Sequence, residues 1–398
     1  MRALFEEKGA MLRVDIMRDK RVQKFIETHA DVLSDATSKG IGDREADFAF
    51  RQSLENSNYI FSGMKTFHEL NEAFPRLTDE EGNRKSFRQF VEDVRSIHDT
   101  YNKNYLLTEY NFAMASANAA RQWVEIERDG DEYLLQYRTM NDDRVRPEHA
   151  ALEGVTLPPS DSFWDAYYPP NGWNCRCHAV QVRRSKYTAT DHEEALRLGQ
   201  QATAKDTRGI FRFNSGKERK TFPDYNPYTI QRCRDCDIAK GKMKLDFIPS
   251  HLMCEGCSII HECYEDLNKG RSKVLKNHYM REMKQLLRIK HTMPTMEEGV
   301  NIRVGFTTRG NEHLYSDTFG RSKVLRKEDL KELDRLLMVA TPIADHPVEH
   351  NYNIKHFYYY RVELHGKPIR LNVAKEVKKK NGRRRTKYYL YSINDIKE

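Results

Sequence analysis

The chain has 398 residues, enough for two or three domains, and 38% apolar content supplies real cores, so a wholly disordered protein is excluded. Aliphatic runs are no longer than the stretch Leu336 to Ala340, far short of the roughly 20 residues that cross a bilayer, so a membrane-spanning helix is excluded as well. The net charge of +8 is uneven: residues 301–398 hold 21 Lys and Arg against 12 Asp and Glu, so a polyanion partner is expected at that end.

The opening residues Met1 to Lys8 contain no apolar signal core, and secretion by the usual route is not expected. The first 125 residues read as helical. Phe87, Phe90, Val91, Val94, Ile97, Tyr101 and Tyr105 recur at spacings of three and four, and alanines between 113 and 120 continue the pattern toward Trp123. No Pro or Gly interrupts 83–129, which predicts one long helix or two collinear ones. Residues 132–138 read as a strand, 139–177 as an irregular Pro- and Gly-punctuated stretch, and 179–183 as a closing strand. A short helix is expected to follow Asp191, a good N-cap before Glu193 and Glu194. A basic amphipathic helix is expected near 271–291, with Leu275, Tyr279, Met283 and Leu286 on one face.

All seven cysteines lie beyond residue 174: Cys175, Cys177, Cys233, Cys236, Cys254, Cys257 and Cys263. Tight pairs in a large chain read as metal ligands rather than disulfides. Cys175 and Cys177 stand one residue apart, with His149 26 positions upstream. A loop folding back would let two thiolates and an imidazole hold Zn²⁺, with Asp142, Asp143 or His178 completing a tetrahedron. The competing reading is two free thiols and a packed or capping His149.

This tract runs from Arg138-Thr139 through Asp143, Val145-Arg146, His149 and Leu152 to Pro169-Pro170, Trp173 and Cys175-Arg176-Cys177. It resembles the Mu F-like minor head proteins of tailed phages, also called head morphogenesis proteins. Tyr105-Leu106-Leu107-Thr108-Glu109 before it, and Phe211 to Lys217 with Phe222-Pro223 after it, extend the resemblance over roughly residues 5–230. The resemblance implies a structural cluster of His149, Cys175 and Cys177 with Asp143 and Arg146 beside it. It also implies a virion protein, bound near the portal inside the capsid, that meets portal and scaffold proteins during assembly in the host cytoplasm.

Cys233-x-x-Cys236 and Cys254-x-x-Cys257 are separated by 17 residues, a spacing that suits two zinc knuckles at the ends of a hairpin, with His251, His261 and Cys263 as spare ligands. Such a cluster serves either as a nucleic-acid or protein contact or as a folding staple for a small insert. Beyond it the pattern turns to strands at 302–306, 357–364, 368–374 and 386–393, with a helix at 326–340. Lys378, Lys379, Lys380, Arg383, Arg384, Arg385 and Lys387 crowd the Asn381-Gly382 turn, where a phosphate backbone would relieve their mutual repulsion.

The last hundred residues loosely resemble the barnase/EndoU/RelE-like nuclease domains that occur fused to phage head proteins. That resemblance implies metal-independent RNA cleavage, with His313 as general acid/base, Arg361 or Lys387 stabilising charge, and Tyr391 or Ser392 contacting phosphate. His346, His350 and His356 are alternatives in an expected loop. The expected architecture is multidomain α+β: a helical head-morphogenesis module at 1–230, a Cys-rich zinc insert at 231–270, a basic helical linker at 271–299 and a basic sheet-plus-helix domain at 300–398. The expected function is a minor capsid protein with a nucleic-acid-binding tail. The alternatives are a nuclease effector packaged into the virion and an inactive tail that binds DNA or scaffold.

Overall fold

The computed structural model describes every residue except 9–11, 43–47, 207, 229–249, 321, 323, 349–352, 381–382 and 397–398. It divides into two compact units, Met1–Asp266 and Leu267–Glu398.

The first unit is mainly helical. In Lys20–Ile41 the buried stripe Val22, Ile26, Ala30, Leu33, Thr37 and Ile41 follows the three-four spacing of an amphipathic helix, and Asp19 caps it by accepting from the Arg21 N–H at 2.8 Å. This helix packs on Phe48–Ala73 and on Leu106–Asp129. Small residues allow the second approach: Ala113, Ala117 and Ala120 are fully buried, and a side chain at Gly40 would run into the Met114 carbonyl.

The uninterrupted helical stretch from 83 to 129 is in fact broken into Phe87–Asp93, Arg95–Asp99, a wide π turn at Thr100–Asn104 and Leu106–Asp129. Val94 is pulled to the edge of the helical region at φ −91, ψ −1, and the Tyr105 N–H reaches back five residues to the Thr100 carbonyl. The wide turn turns polar groups inward. The Tyr101 hydroxyl donates to Glu72 at 2.8 Å and Asn102 donates to Glu69 at 3.0 Å. Tertiary partners, rather than a breaker residue, set this break.

Against these helices lies a three-stranded antiparallel sheet in the order β2-β1-β3, with β1 at Tyr133–Arg138, β2 at Thr156–Leu157 and β3 at His178–Arg183. The expected strands and the Asp191-capped helix, His192–Ala202, are present. Trp123, Leu135, Tyr137, Leu152, Phe163, Trp164 and Tyr168 form the core between them.

The segment expected to hold the second pair of zinc knuckles differs. Cys254 and Cys257 lie within one helix, Ser250–Glu282, in place of a hairpin turn; Cys233 and Cys236 fall outside the described residues. Met253, Ile259, Ile260 and Tyr264 bury one side of that helix in the first unit, and Arg18 bonds Glu262 at 2.6 Å. An apolar stripe at helical spacing, running through the Cys pair, selects helix over turn here.

The second unit is built on a six-stranded sheet. Its order is β4-β5-β9-β8-β7-β6, with β4 at Lys290–Pro294, β5 at Asn301–Gly305, β6 at Thr341–Pro347, β7 at Ile354–Leu364, β8 at Lys367–Lys380 and β9 at Arg383–Asp395. Only the β5–β9 pairing is parallel. Met283, Leu286 and Met293 join Leu314, Leu330, Leu333, Leu337, Tyr360, Leu371 and Ile393 in one core. The 271–299 stretch therefore contributes a turn of 3₁₀ helix, a strand and core side chains to this unit. The expected helix at 326–340 is a 3₁₀ turn, Glu328–Lys331, followed by Leu333–Val339. His346 and His356 lie on β6 and β7 instead of a loop, and His350 falls outside the described residues.

Candidate functional site

In the first unit the two ends of the irregular loop are brought together by β1. Its residue Tyr137 exchanges backbone hydrogen bonds with Gly154 and Val155 at 2.9 and 2.8 Å, which folds the 139–155 segment back on the strand. Pro147 starts a single helical turn, Pro147–Ala150, that carries His149 inward to 4% exposure. Asn174, in the left-handed region at φ 55, turns the chain between Trp173 and the cysteines that lead into β3. Arg146 locks the two arms together by donating to the Trp173 carbonyl at 2.5 Å. A Cβ on Gly172 would come to 3.0 Å from that guanidinium, so the close approach favours glycine.

His149, Cys175 and Cys177 thereby converge. Their ligand atoms all lie within 4.8 Å of one another, with Nδ1 of His149 3.7 Å from Sγ of Cys175 and 3.9 Å from Sγ of Cys177. A tetrahedral zinc with bond lengths of about 2.3 Å to sulfur and 2.0 Å to nitrogen separates such donors by about 3.6 Å, so the group needs only a small contraction to fit. The hydrogen bond from the Cys177 thiol, and then His149, hold Cys175 well below the ordinary thiol range despite its burial. Cys177, as donor in that bond and itself buried, is pushed up. Both shifts favour the thiolate on Cys175, the form that binds metal. The Tyr137 phenol, fully buried and donating to Asn171 Oδ1 at 3.1 Å, adjoins the pair.

The expected fourth ligands are placed elsewhere. Asp142 is occupied by Arg176 through bonds of 2.8 and 2.6 Å, and Asp143 and His178 stand outside the convergent group. Among the described residues the group closes at three protein donors. A cleft of about 520 Å³ lined by Asn111, Asn118, Cys175 and Cys177 borders it, and another of about 330 Å³ lies by Arg144, His149 and the same cysteines. Cys254 is exposed and Cys257 half-buried on their helix, while Cys263 accepts a bond from Gln23 at 3.1 Å.

In the second unit the candidates divide. His313, on the helix Thr308–Gly320, lies with its ring centroid 4.1 Å from that of Tyr391. A bulge in the β8–β9 register, where Asn372 faces Ser392 but Val373 faces Leu390, leaves Tyr391 as the extra residue. Ser392 is buried and receives a bond from Asn372 at 2.7 Å. Arg361 is exposed on β7 opposite Arg370, and Lys387 is exposed on β9 opposite Glu376. Of the expected candidates, Arg361, Lys387, Tyr391 and Ser392 share the sheet, and His313, from its helix, contacts Tyr391. Lys378 and Arg385 face each other across the β8–β9 ladder, as do Lys379 and Arg384, and Lys380 and Arg383. This strand pairing continues up to the basic turn.

A third cluster escaped the sequence. Lys65, 1% exposed, reaches Glu109 Oε2 at 2.5 Å and His29 Nε2 at 3.1 Å, and the Tyr228 hydroxyl donates to the other Glu109 oxygen at 2.8 Å. Burial lowers the Lys65 pKa and raises that of Glu109, with their mutual attraction opposing both shifts. The only available signal was a Lys and a Glu on apolar helix faces; nothing in the sequence links positions 44 residues apart.

Residues 80–180 match the model of a family described as "Phage Mu protein F like protein". Over 106 residues the chain is 36% identical to "Putative capsid assembly protein F" of Escherichia phage Mu, and over 97 residues it is 34% identical to the "Mu-like prophage FluMu F protein" of Haemophilus influenzae. These matches take in 26% and 23% of this chain, and the chain spans 23% of the length of each relative. No solved structure matches. The family match includes β1, His149, Cys175 and Cys177 and stops short of the second unit.

Proposed function

We propose that this chain is a head-assembly protein of a tailed phage or prophage. Met1–Asp266 is its assembly module, docking on the portal and on neighbouring capsid or scaffold proteins inside the virion. Leu267–Glu398 is a basic appendage that binds nucleic acid. The observation that carries this reading is the convergence of His149, Cys175 and Cys177 within the segment similar to the phage proteins. Zn²⁺ there would supply a crosslink between two arms of a loop that has little regular backbone bonding of its own. His149, Cys175 and Cys177 would hold the ion, and Arg146 and Tyr137 would keep the two arms in place.

The test is complementation. A phage lacking this chain should form heads again with the wild-type protein, and the Cys175→Ser/Cys177→Ser protein should be metal-poor and absent from particles. Normal incorporation of a zinc-free variant would defeat the proposal.

The contact between His313 and Tyr391 also favours a catalytic version of the appendage. His313 would accept the 2′-hydroxyl proton of RNA as O2′ bonds to phosphorus and the bond to the 5′-oxygen breaks, with that oxygen taking up a proton from water. Such a protein would be a virion-delivered nuclease. RNA cleavage that is lost in His313→Ala supports this second reading, and equal activity in both proteins removes it.

A further inference from the structure

One face of the β4–β9 sheet is packed on the core. The other is lined by rings. Along β7, Tyr358, Tyr360 and Val362 point to the core, so Phe357, Tyr359 and Arg361 point away from it. The Phe357 and Tyr359 rings are 6.4 Å apart and 12° from parallel, and both are half-buried. His346 of the exposed edge strand lies 5.3 Å from Tyr359 and 6.1 Å from Phe357, and its Nδ1 is 2.8 Å from the Tyr359 hydroxyl. Tyr391 continues the row, 5.5 Å from Phe357 and 4.1 Å from His313.

Polar groups support these rings. The Arg370 guanidinium sits 4.7 Å from the Tyr359 centroid and donates to Asn372 Oδ1 at 3.0 Å. Asn372, 7% exposed, donates in turn to Ser392 at 2.7 Å and Asn394 at 2.5 Å. Phe357 and Tyr391 also cover a small buried group of Ile354, Ala374 and Tyr389, but that packing requires neither the Tyr359 and His346 rings nor a bonded amide sunk beneath an arginine. The same β8 and β9 strands lead into the basic turn with Lys378, Arg384, Arg385 and Lys387.

We infer that this face is a platform for single-stranded nucleic acid. Unpaired bases seat on Tyr359 and Phe357, Arg370 and Arg361 meet the adjoining phosphates, and the hairpin cations carry the backbone onward. The inference rests on the nucleic-acid reading of the appendage and specifies the form of the ligand. Cations alone hold duplex and single strands alike, but ring faces act only on bases that are free to leave the stack. Two bases on rings 6.4 Å apart are held nearly twice as far apart as the about 3.4 Å rise of a stacked strand, a separation that pairing in a duplex opposes.

The experiment uses the full chain and fluorescence anisotropy, with labelled RNA and DNA single strands of about 12 nucleotides and the matching DNA duplex. Titrations run from roughly 50 to 200 mM salt. Phe357→Leu/Tyr359→Leu should weaken single-strand binding by about tenfold or more while leaving duplex affinity and the salt slope in place. Tyr359→Phe, which keeps the ring and removes its bond to His346, should retain single-strand affinity. Lys378→Gln/Arg384→Gln/Arg385→Gln/Lys387→Gln should weaken every nucleic acid and reduce the salt slope by about three. The RNA and DNA arms identify which strand is preferred. Unchanged single-strand affinity in the ring variant, or equal losses on single strands and duplex, would overturn the platform while the hairpin reading stands. Absence of binding by the wild-type chain would overturn both.

Discussion

In Met1–Asp266 charge is enclosed. Lys65 and Glu109 are 1% and 2% exposed, bonded to each other and to His29 and Tyr228, and Glu69 is buried beside Asn102 and His98. In Leu267–Glu398 the buried acids meet the backbone or an exposed cation, Asp317 accepting from the Ile393 N–H at 3.2 Å and Glu376 lying 3.0 Å from Lys378, while Lys378, Arg384, Arg385 and Lys387 are exposed. An enclosed ion pair adds little net stability over an apolar pair, yet removing one partner strands the other in a medium that solvates it poorly. Enclosed charge therefore fixes one arrangement of helices and tolerates no single change. Exposed charge leaves its fold nearly indifferent and is available to a ligand.

The sharpest way to break that contrast is to halve the enclosed pair. Lys65→Met should destabilise the first unit by about 3–5 kcal/mol, and Lys65→Met/Glu109→Leu should recover most of the loss. Calorimetry of the full chain should show the transition of the first unit moving while the other stays. A single-variant loss below about 1 kcal/mol, the range of exposed pairs, would mean that the two units use charge alike.

The next effect belongs to the metal. Zinc bound only by the folded state stabilises it by about 3 kcal/mol when free metal stands a hundredfold above its dissociation constant. Chelation should lower the first transition of the wild-type protein, and Cys175→Ser, carrying about one zinc fewer per chain, should no longer respond to the chelator. An equal response in both proteins would place the effective metal at other ligands.

Acid should act on the same unit. Burial first, and then Lys65, depress the pKa of His29 to about 3, and burial depresses that of His68 to about 4. The unfolded chain takes up protons near pH 6.5 that the folded chain refuses. Stability from these two groups is therefore complete above pH 6.5 and falls as the pH drops from there toward 4. Each histidine should contribute a slope of about 1 kcal/mol per pH unit across that window. His98, raised by its bond to Glu69, acts in the opposite sense, since its contribution is present below pH 6.5 and lost as pH rises through its folded pKa. Denaturant titrations of His29→Gln should show a shallower acid limb, and an unchanged limb would remove His29 from the account.

How far the sequence revealed these features follows the range of the interactions. β1, β3 and the Asp191-capped helix were legible because alternation and capping are local patterns, and His149 with Cys175 and Cys177 because few residue types share their chemistry. The break between Val94 and Tyr105 was hidden, since Glu69 and Glu72 on another helix determine it. Cys254 and Cys257 misled because a Cys-x-x-Cys spacing also fits one helix face, and the burial of Met253, Ile259 and Ile260 decided for helix. The strands β7, β8 and β9 were readable, but the ring face was not. It depends on a register in which Tyr359, Asn372 and Ser392 lie side by side, and a bulge that sets Tyr391 against Phe357 and His313.

The smallest effect tests the contrast by its sign. Lys378 and Arg385 are direct cross-strand neighbours, and like charges so placed destabilise a hairpin. Removing an enclosed charge should cost the first unit several kcal/mol, whereas Arg385→Glu, which turns a repulsive pair into an attractive one, should stabilise the second unit by about 0.2–1 kcal/mol. The same substitution should weaken nucleic-acid binding and lower its salt slope by about one or two, since a phosphate contact is replaced by a repulsive charge. A gain in fold stability coupled to a loss of affinity is the behaviour of a surface kept cationic for its ligand. If Arg385→Glu instead destabilised the hairpin and left binding intact, these cations would be fastening strands, and the two units would differ only in where their ion pairs lie.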